Sequence, residues 1–322
     1  MNACKSFAVT VTGGSHIKHG KGCEDYSCEY TDNSVAIAVV SDGHGDDNCF
    51  RSAIGAKFAA ECAKNKIKDA VVYFKPKFTP ESINKKRYPA EEEFRAYVQE
   101  YLVKRIIEAW LTIVEEHYTA NPFTEEELNK TDEKHRVKYK SGKNPNKSGT
   151  TLTKAAKIPP YFSVYGATLI ASAITPYYWL GLQIGDGRLT ALYEDGGFDQ
   201  PVPLDEKCFL NVTTSICDDN ALDIAHTYFS YSFVKPPPVA VFLCSDGIDD
   251  NYPVEDNEKH LFKLYRTIAL TFAEEGFEST NKQLIDLANQ FAGRGKGDDS
   301  SIAGFINMDG LKRAAPIWKT NE

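Results

Sequence analysis

Residues 35–40 and 239–244 carry only apolar side chains, and each run is followed at once by Ser-Asp-Gly. A strand with no polar face must be covered on both sides, which calls for a sheet with a further layer above and below it. More strand-like runs lie at residues 7–12, 167–174, 178–184, 189–193 and 302–306. Those between 167 and 193 follow one another across turn signals at Thr175-Pro176 and 185–187, with a further turn at Asp195-Gly196-Gly197. Runs joined that closely read as consecutive antiparallel strands. Helical periodicity marks 48–68, where Phe50, Ile54, Phe58 and Cys62 recur every four residues, and 91–117, where Phe94, Tyr97, Tyr101, Ile106, Trp110, Ile113 and His117 share a broad face. Two further helices are expected at 257–275 and 280–292, the last stopped by Gly293. Helices come in pairs between groups of strands, so the chain reads as α+β, an antiparallel sandwich flanked by helix pairs.

Lys and Arg total 37 and Asp and Glu 45, a net charge of −8 over 322 residues. That balance gives no general affinity for nucleic acid or an anionic membrane, so neither is expected as a partner. Apolar residues at 42% exclude intrinsic disorder. No apolar run approaches the roughly 18 residues of a membrane span, and 7–11, broken by Thr10, is too short for a signal-peptide core. A soluble, cytoplasmic protein is expected. The cysteines (Cys4, Cys23, Cys28, Cys49, Cys62, Cys208, Cys217, Cys244) show no Cys-x-x-Cys pair and no Gly-rich, Arg-ended loop, so they read as free thiols rather than zinc ligands or a phosphatase nucleophile. One domain over 1–322 is expected. It carries a polar insertion at about 119–160, with Lys138, Lys140, Lys143 and Lys147 close together, read as a solvated loop or a docking surface.

The chemistry lies in the acids. Apolar runs end in Asp42-Gly43-His44-Gly45, Asp186-Gly187-Arg188 and Asp246-Gly247, and Asp298-Asp299 precedes the run at 302–306. With 22 Asp and 22 Gly, chance gives about 1.5 Asp-Gly pairs, whereas five occur. Asp195-Gly196 and Asp309-Gly310 read as turns; the other three end buried strands. Carboxylates gathered at neighbouring strand ends repel by a few kcal/mol unless protonated or bridged by cations. Oxygen ligands with no His or Cys cluster suit magnesium or manganese, and Gly after Asp would let the backbone turn tightly so that its carbonyl also faces an ion. Two such ions sharing a carboxylate form a device that activates water for attack on phosphorus.

The ordered set Glu24-Asp25, Asp42-Gly43-His44-Gly45, Gly166-Ala167-Thr168, Gly185-Asp186-Gly187-Arg188, Asp246-Gly247-Ile248-Asp249-Asp250 and Asp298-Asp299-Ser300-Ser301 resembles the metal-dependent serine/threonine protein phosphatases, the PPM or type-2C class, over residues from about 8 to 307. Ser15-His16 and Gly20-Lys21-Gly22-Cys23-Glu24-Asp25 are similar to the opening of the bacterial-type variant. The resemblance implies a four-layer α-β-β-α sandwich. It also implies hydrolysis of phosphoserine and phosphothreonine in proteins, the substrates of a cognate kinase, by water activated by two Mg2+ or Mn2+ ions. Asp42 would bridge the ions, with the Gly43 carbonyl on one and Asp246 and Asp298 on the other. Glu24 and Asp25 would hold water in a second layer, Asp186 and Asp250 could take a third ion, and His44 would be the general acid.

The family's phosphate-gripping Arg falls at Gly20, leaving Lys18 or Lys21 to supply a point charge. That departure motivates an alternative, a catalytically silent relative that binds phosphoproteins or a partner through the Lys-rich insertion. His16 and His19 read as solvated loop residues, and residues 14–22 fail the spacing of a nucleotide-binding phosphate loop.

Overall fold

The computed structural model describes residues 4–140, 158–205, 207–208 and 213–320. One sheet runs in the order β1 (Cys4–Val11), β10 (Ser300–Asn307), β9 (Ala240–Cys244), β6 (Arg188–Leu192), β7 (Phe198–Asp199), and every pairing in it is antiparallel. The other runs β2 (Tyr26–Thr31), β3 (Ala36–Ser41), β4 (Leu169–Ile174), β5 (Tyr178–Ile184), β8 (His226–Tyr231), again wholly antiparallel. The sheets stack face to face, and helices cover both outer faces, giving the four layers.

The two all-apolar runs explain this stacking residue by residue. In β3, Ala36, Ala38 and Val40 point into the space between the sheets, against Val241, Leu243, Ala303 and Phe305. Ile37 and Val39 point the other way, into a core shared with Ile67 and Trp110 of helices α2 (Ser52–Phe74) and α5 (Val103–Ala120). In β9, Val241 and Leu243 face inward. Phe242 and Cys244 pack outward with Leu261, Phe272, Leu284 and Trp318 of α10 (Asn257–Glu275), α11 (Phe277–Ala292) and α12 (Met308–Thr320). Period-two alternation with both faces apolar is what a strand between two layers requires.

Shorter helices punctuate the chain: α1 (Gly14–Lys18), α3 (Pro80–Asn84), α4 (Glu91–Ala96), α6 (Glu125–Lys130), α7 (Glu133–Lys140), α8 (Ala221–Ile224) and α9 (Asp246–Asp249). Between α4 and α5 the helix continues as a π-turn over Tyr97–Leu102.

Four sequence expectations need correction. The run 167–193 does not form three consecutive partners: β4 and β5 pair, but residues 185–187 carry the chain from one sheet to the other, so β5 and β6 never meet as neighbours. Strands β2, β7 and β8 lay outside the expected set, because edge strands with a wet side carry polar residues such as Glu29 and His226 and lose the apolar signal. Asp309-Gly310 is no turn but the first stretch of α12, where Gly310 is buried and its N–H donates to Asn307 Oδ1 at 3.0 Å.

The insertion is also more than a solvated loop. Leu128 and Tyr139 on α6 and α7 are buried, and Arg51, at the start of α2, donates to Glu127 Oε1 and Oε2 at 2.8 and 2.9 Å, to the Asn121 carbonyl at 2.6 Å and to the Tyr165 hydroxyl at 2.7 Å. Lys143 and Lys147 lie outside the described residues. Among the described residues no helix is long and apolar enough to cross a membrane.

Because the Arg51 side chain is only 7% exposed, removing it takes the donor from Glu127 and from the Asn121 and Pro122 carbonyls at once. Arg51→Met is expected to cost about 2 to 3 kcal/mol of unfolding free energy by urea titration; a loss below about 0.5 kcal/mol would mean that residues 121–130 are not held through this side chain.

Candidate active site

Strand register brings the acids together. Tyr26 pairs with Ser41 in one sheet, and Val11 with Ser300 and Cys244 with Ile302 and Arg188 in the other. Glu24-Asp25 before β2, Asp42 after β3, Asp186 on the crossover before β6, Asp246 after β9 and Asp298-Asp299 before β10 therefore all fall at one common end of the sandwich. They line a cleft of about 800 Å³ with His16, Gly43, His44, Thr168, Arg188, Thr213, Asp249, Asp250 and Lys296, while Asp25 lies buried beside it.

The strand ends are bolted to one another by backbone contacts. Asp42 N–H donates to Thr168 Oγ1 at 3.0 Å, Thr168 N–H to the Asp42 carbonyl at 2.8 Å, and Gly43 N–H to the Glu24 carbonyl at 3.1 Å. A Cβ on Gly43 would stand 2.7 Å from the Glu24 carbonyl oxygen, and one on Gly247 only 1.8 Å from that of Asp299. Neither Gly43, Gly187 nor Gly247 has a positive φ. Glycine follows these aspartates because another segment's backbone passes there, rather than to permit a tight turn as the sequence suggested.

Eight carboxyls line the cleft (Glu24, Asp42, Asp186, Asp246, Asp249, Asp250, Asp298, Asp299) against two permanent cations. Both cations are committed. Arg188 lies 2.9 Å from Asp249 and Lys296 2.8 Å from Asp250. Burial, then the charges of Asp25, Asp246 and Asp186, push Asp42 well above the carboxylate range, and it shares a hydrogen bond with Asp246. Asp246 is pushed up to about 7, first by burial and then by Asp186. Asp25 also rises to about 7 through burial, although the Ser245 hydroxyl donates to it at 2.7 Å. Burial lowers the His44 imidazole, with Asp186, Asp218 and Asp46 pulling the other way.

This donor set fits hard divalent cations. It offers carboxylate oxygens and the Gly43 carbonyl, and Glu24 Oε2 is buried without a hydrogen-bond partner. Among the described residues no three side chains are already gathered as a ligand group; Asp42 and Asp246 are within hydrogen-bonding reach of each other. A cation between them would remove the repulsion.

Glu24, Asp42, Gly43, His44, Asp186, Asp246, Asp250 and Asp298 thus meet in one cleft, with Asp25 against it. Lys18 and Lys21 do not line it. Lys18 is exposed at the end of α1, and Lys21 donates to the Gly45 carbonyl at 3.1 Å on the outer side, 3.8 Å from Asp47.

His16 is a correction: it is no solvated loop residue. Its side chain is 14% exposed, with Nδ1 3.0 Å from Asp299 Oδ1 but out of line for a hydrogen bond, and Nε2 3.7 Å from Glu24 and 3.8 Å from Asp298. Asp299 is the acid whose role the sequence concealed. It is buried and accepts from Gly13 N–H at 2.7 Å and Glu24 N–H at 2.6 Å, fixing the segment that carries Glu24. Thr213, which donates to Asp186, and Lys296 were missed as well. Thr213 and Lys296 had no sequence signal of their own, whereas His16 and Asp299 stood inside the motifs that carry the family resemblance without a role assigned to them.

The family model described as Protein phosphatase 2C matches residues 12–287. The chain belongs to the protein phosphatase 2C family. It is thus a protein phosphatase of the serine/threonine class that depends on magnesium or manganese, and phosphoproteins are its substrates. The matched residues stop short of Asp298, which only the β10 pairing brings to the cleft. Among solved structures, a bacterial serine phosphatase is 14% identical, with 94% of this chain and 97% of that one covered and a TM-score of 0.50. The serine/threonine phosphatase Stp1 from Staphylococcus aureus is 13% identical, with 94% of each chain covered and a TM-score of 0.50. At such identity the likeness speaks for the fold. No curated protein sequence matches the chain.

The raised acids set the sign of a pH effect. A carboxyl whose folded pKa stands at about 7, against an ordinary 3.8, favours folding below the ordinary value and loses that contribution as pH rises through 7. In a chelator the melting temperature should therefore fall between about pH 5 and pH 8, and manganese should remove most of that fall. A chelated protein equally stable at both values would contradict the crowding of Asp25, Asp42 and Asp246.

Proposed function

We propose that the acidic cleft hydrolyses phosphoserine and phosphothreonine in proteins with two divalent cations held by Asp42, the Gly43 carbonyl, Asp246 and Asp298. The carrying observation is the cleft lined by eight carboxyls against two permanent cations. When bound, the ions supply neutralisation of the phosphoryl oxygens and activation of water.

Asp42 is suited to hold the cations because its backbone is fixed on both sides by Thr168, which opens the neighbouring strand of the same sheet. Glu24 and Asp25 are assigned to orient water, Glu24 through its unpartnered Oε2. Asp186 and Asp250 form the outer acids that could take a third ion; Thr213 and Lys296 hold them.

His44 is assigned as the general acid at the leaving seryl or threonyl oxygen. Its backbone N–H donates to the Gly166 carbonyl at 3.2 Å, which anchors the residue at the cleft wall. Because Arg188 and Lys296 are already paired, substrate phosphate depends mainly on the cations, and any help from Lys18 or Lys21 requires their side chains to reach in from outside. The eight cysteines are all unpaired thiols, which suits the reducing cytoplasm as the place of action.

Two measurements test this. Asp42→Asn should reduce manganese-dependent phosphate release from phosphothreonine peptides to background, while the chelated protein melts no lower than the parent because one of the crowded acids is gone. Turnover within a few-fold of the parent would sink the assignment of Asp42. His44→Gln should lower kcat on phosphothreonine peptides by about 10² to 10⁴. It should spare an aryl phosphate with a good leaving group, and an equal loss on both substrates would remove His44 from the protonation step.

A further inference from the structure

At the far end of α2 from the cleft, the surface charge reverses. Ser52, in the first turn of α2, donates to Glu24 at 3.2 Å. Lys66 and Tyr73, toward its other end, line a separate cavity of about 840 Å³. At 1.5 Å per residue, Ser52 and Tyr73 are about 30 Å apart. The cavity's opposite wall comes from α4, the π-turn and the start of α5, and two of its residues, Tyr101 and Arg105, also line a second cavity of about 230 Å³. The two adjoin at these residues and make the groove.

Its floor is apolar and its rim aromatic. Phe74 and Phe94 are buried with ring centroids 4.5 Å apart, whereas Tyr73 is 64% and Tyr101 59% exposed. Tyr101 stacks on Tyr97 at 5.8 Å across the π-turn, a rare helical irregularity that concentrates at functional surfaces.

Five cations line the groove (Lys66, Lys77, Arg87, Lys104, Arg105) against Asp69, Glu93 and Glu108. Lys66 lies 3.6 Å from Asp69 and Lys104 3.8 Å from Glu108. Lys77, Arg87 and Arg105 then face Glu93 alone among the charged lining residues. On a chain of net charge −8, a groove with more cations than acids and with exposed aromatics favours an acidic occupant.

We propose that this groove docks an acidic segment of a partner protein, one whose aromatic or aliphatic side chains settle on Tyr73 and Tyr101 while its carboxylates meet Arg87 and Arg105. A lining that spreads from Lys66 on α2 to Glu108 on α5, with exposed aromatics among the cations, fits a peptide segment better than a compact anion. The proposal is independent of the phosphatase chemistry, because the groove and the cleft occupy opposite ends of α2.

The test is fluorescence anisotropy with the full chain and a labelled peptide of Glu and Asp interspersed with Trp and Leu, with a counterpart carrying Lys in place of the acids. The acidic peptide should bind, more weakly as salt rises, and the Lys counterpart should not. The double variant Arg87→Glu/Arg105→Glu should weaken binding by about tenfold or more, and Tyr101→Ala should also weaken it. Hydrolysis of a small aryl phosphate should stay unchanged in both. Should the charge reversal disturb folding, Arg87→Gln/Arg105→Gln should give the same loss with a parental melting curve. Equal binding of the two peptides would overturn the proposal. So would undiminished binding by the double variants, or displacement of the peptide by equimolar free glutamate or inorganic phosphate.

Discussion

Mutual repulsion among carboxylates at one end of two stacked sheets is the constraint around which this molecule is arranged. Asp42 and Asp246 belong to different sheets, yet the stacking of β3 against β9 brings them within hydrogen-bonding reach. A fold whose apolar interior forces such acids together gains nothing from them structurally, since each would be more stable apart. The arrangement is intelligible as a cage for divalent cations, whose binding turns the largest local cost into the largest local attraction.

Holding that cage open requires rigidity that the acids cannot supply. It comes from the backbone: Thr168 brackets Asp42, and the carbonyls of Glu24 and Asp299 press against glycines where no side chain fits. Asp298 and Asp299 divide the labour between neighbours. The first is half-exposed and faces the cleft; the second is buried and spends both oxygens on backbone N–H groups of the segment that carries Glu24. The paired cations have a comparable part. Arg188 and Lys296 hold Asp249 and Asp250 in place, and so lend little positive charge to an incoming phosphate.

Charge is also segregated along the length of α2. Its first turn touches the acidic cleft, and its last turns border a groove with more cations than acids. A single rigid helix about 30 Å long thus separates two surfaces of opposite preference. An acidic protein segment would be repelled from the cleft and drawn to the groove, whereas cations would distribute the other way. The helix packs against β2, β3 and β4, so the separation is fixed by the same core that sets the strand ends.

The sequence by itself determined which strands are central, which acids end them and which helices cover them, because complete burial and helical periodicity leave a local mark in residue type. Helix α10 at Asn257–Glu275 and the acids Asp42, Asp186, Asp246 and Asp298 were legible for that reason. Edge strands β2 and β8 were not, since half-wet segments read like loops. Only the tertiary structure decided that residues 185–187 cross between sheets, that His16 enters the cleft and that Asp299 clamps Glu24. Each of these depends on partners more than a hundred residues away or on which sheet a strand joins. Such contacts are set by packing between layers, and no short window of sequence records them.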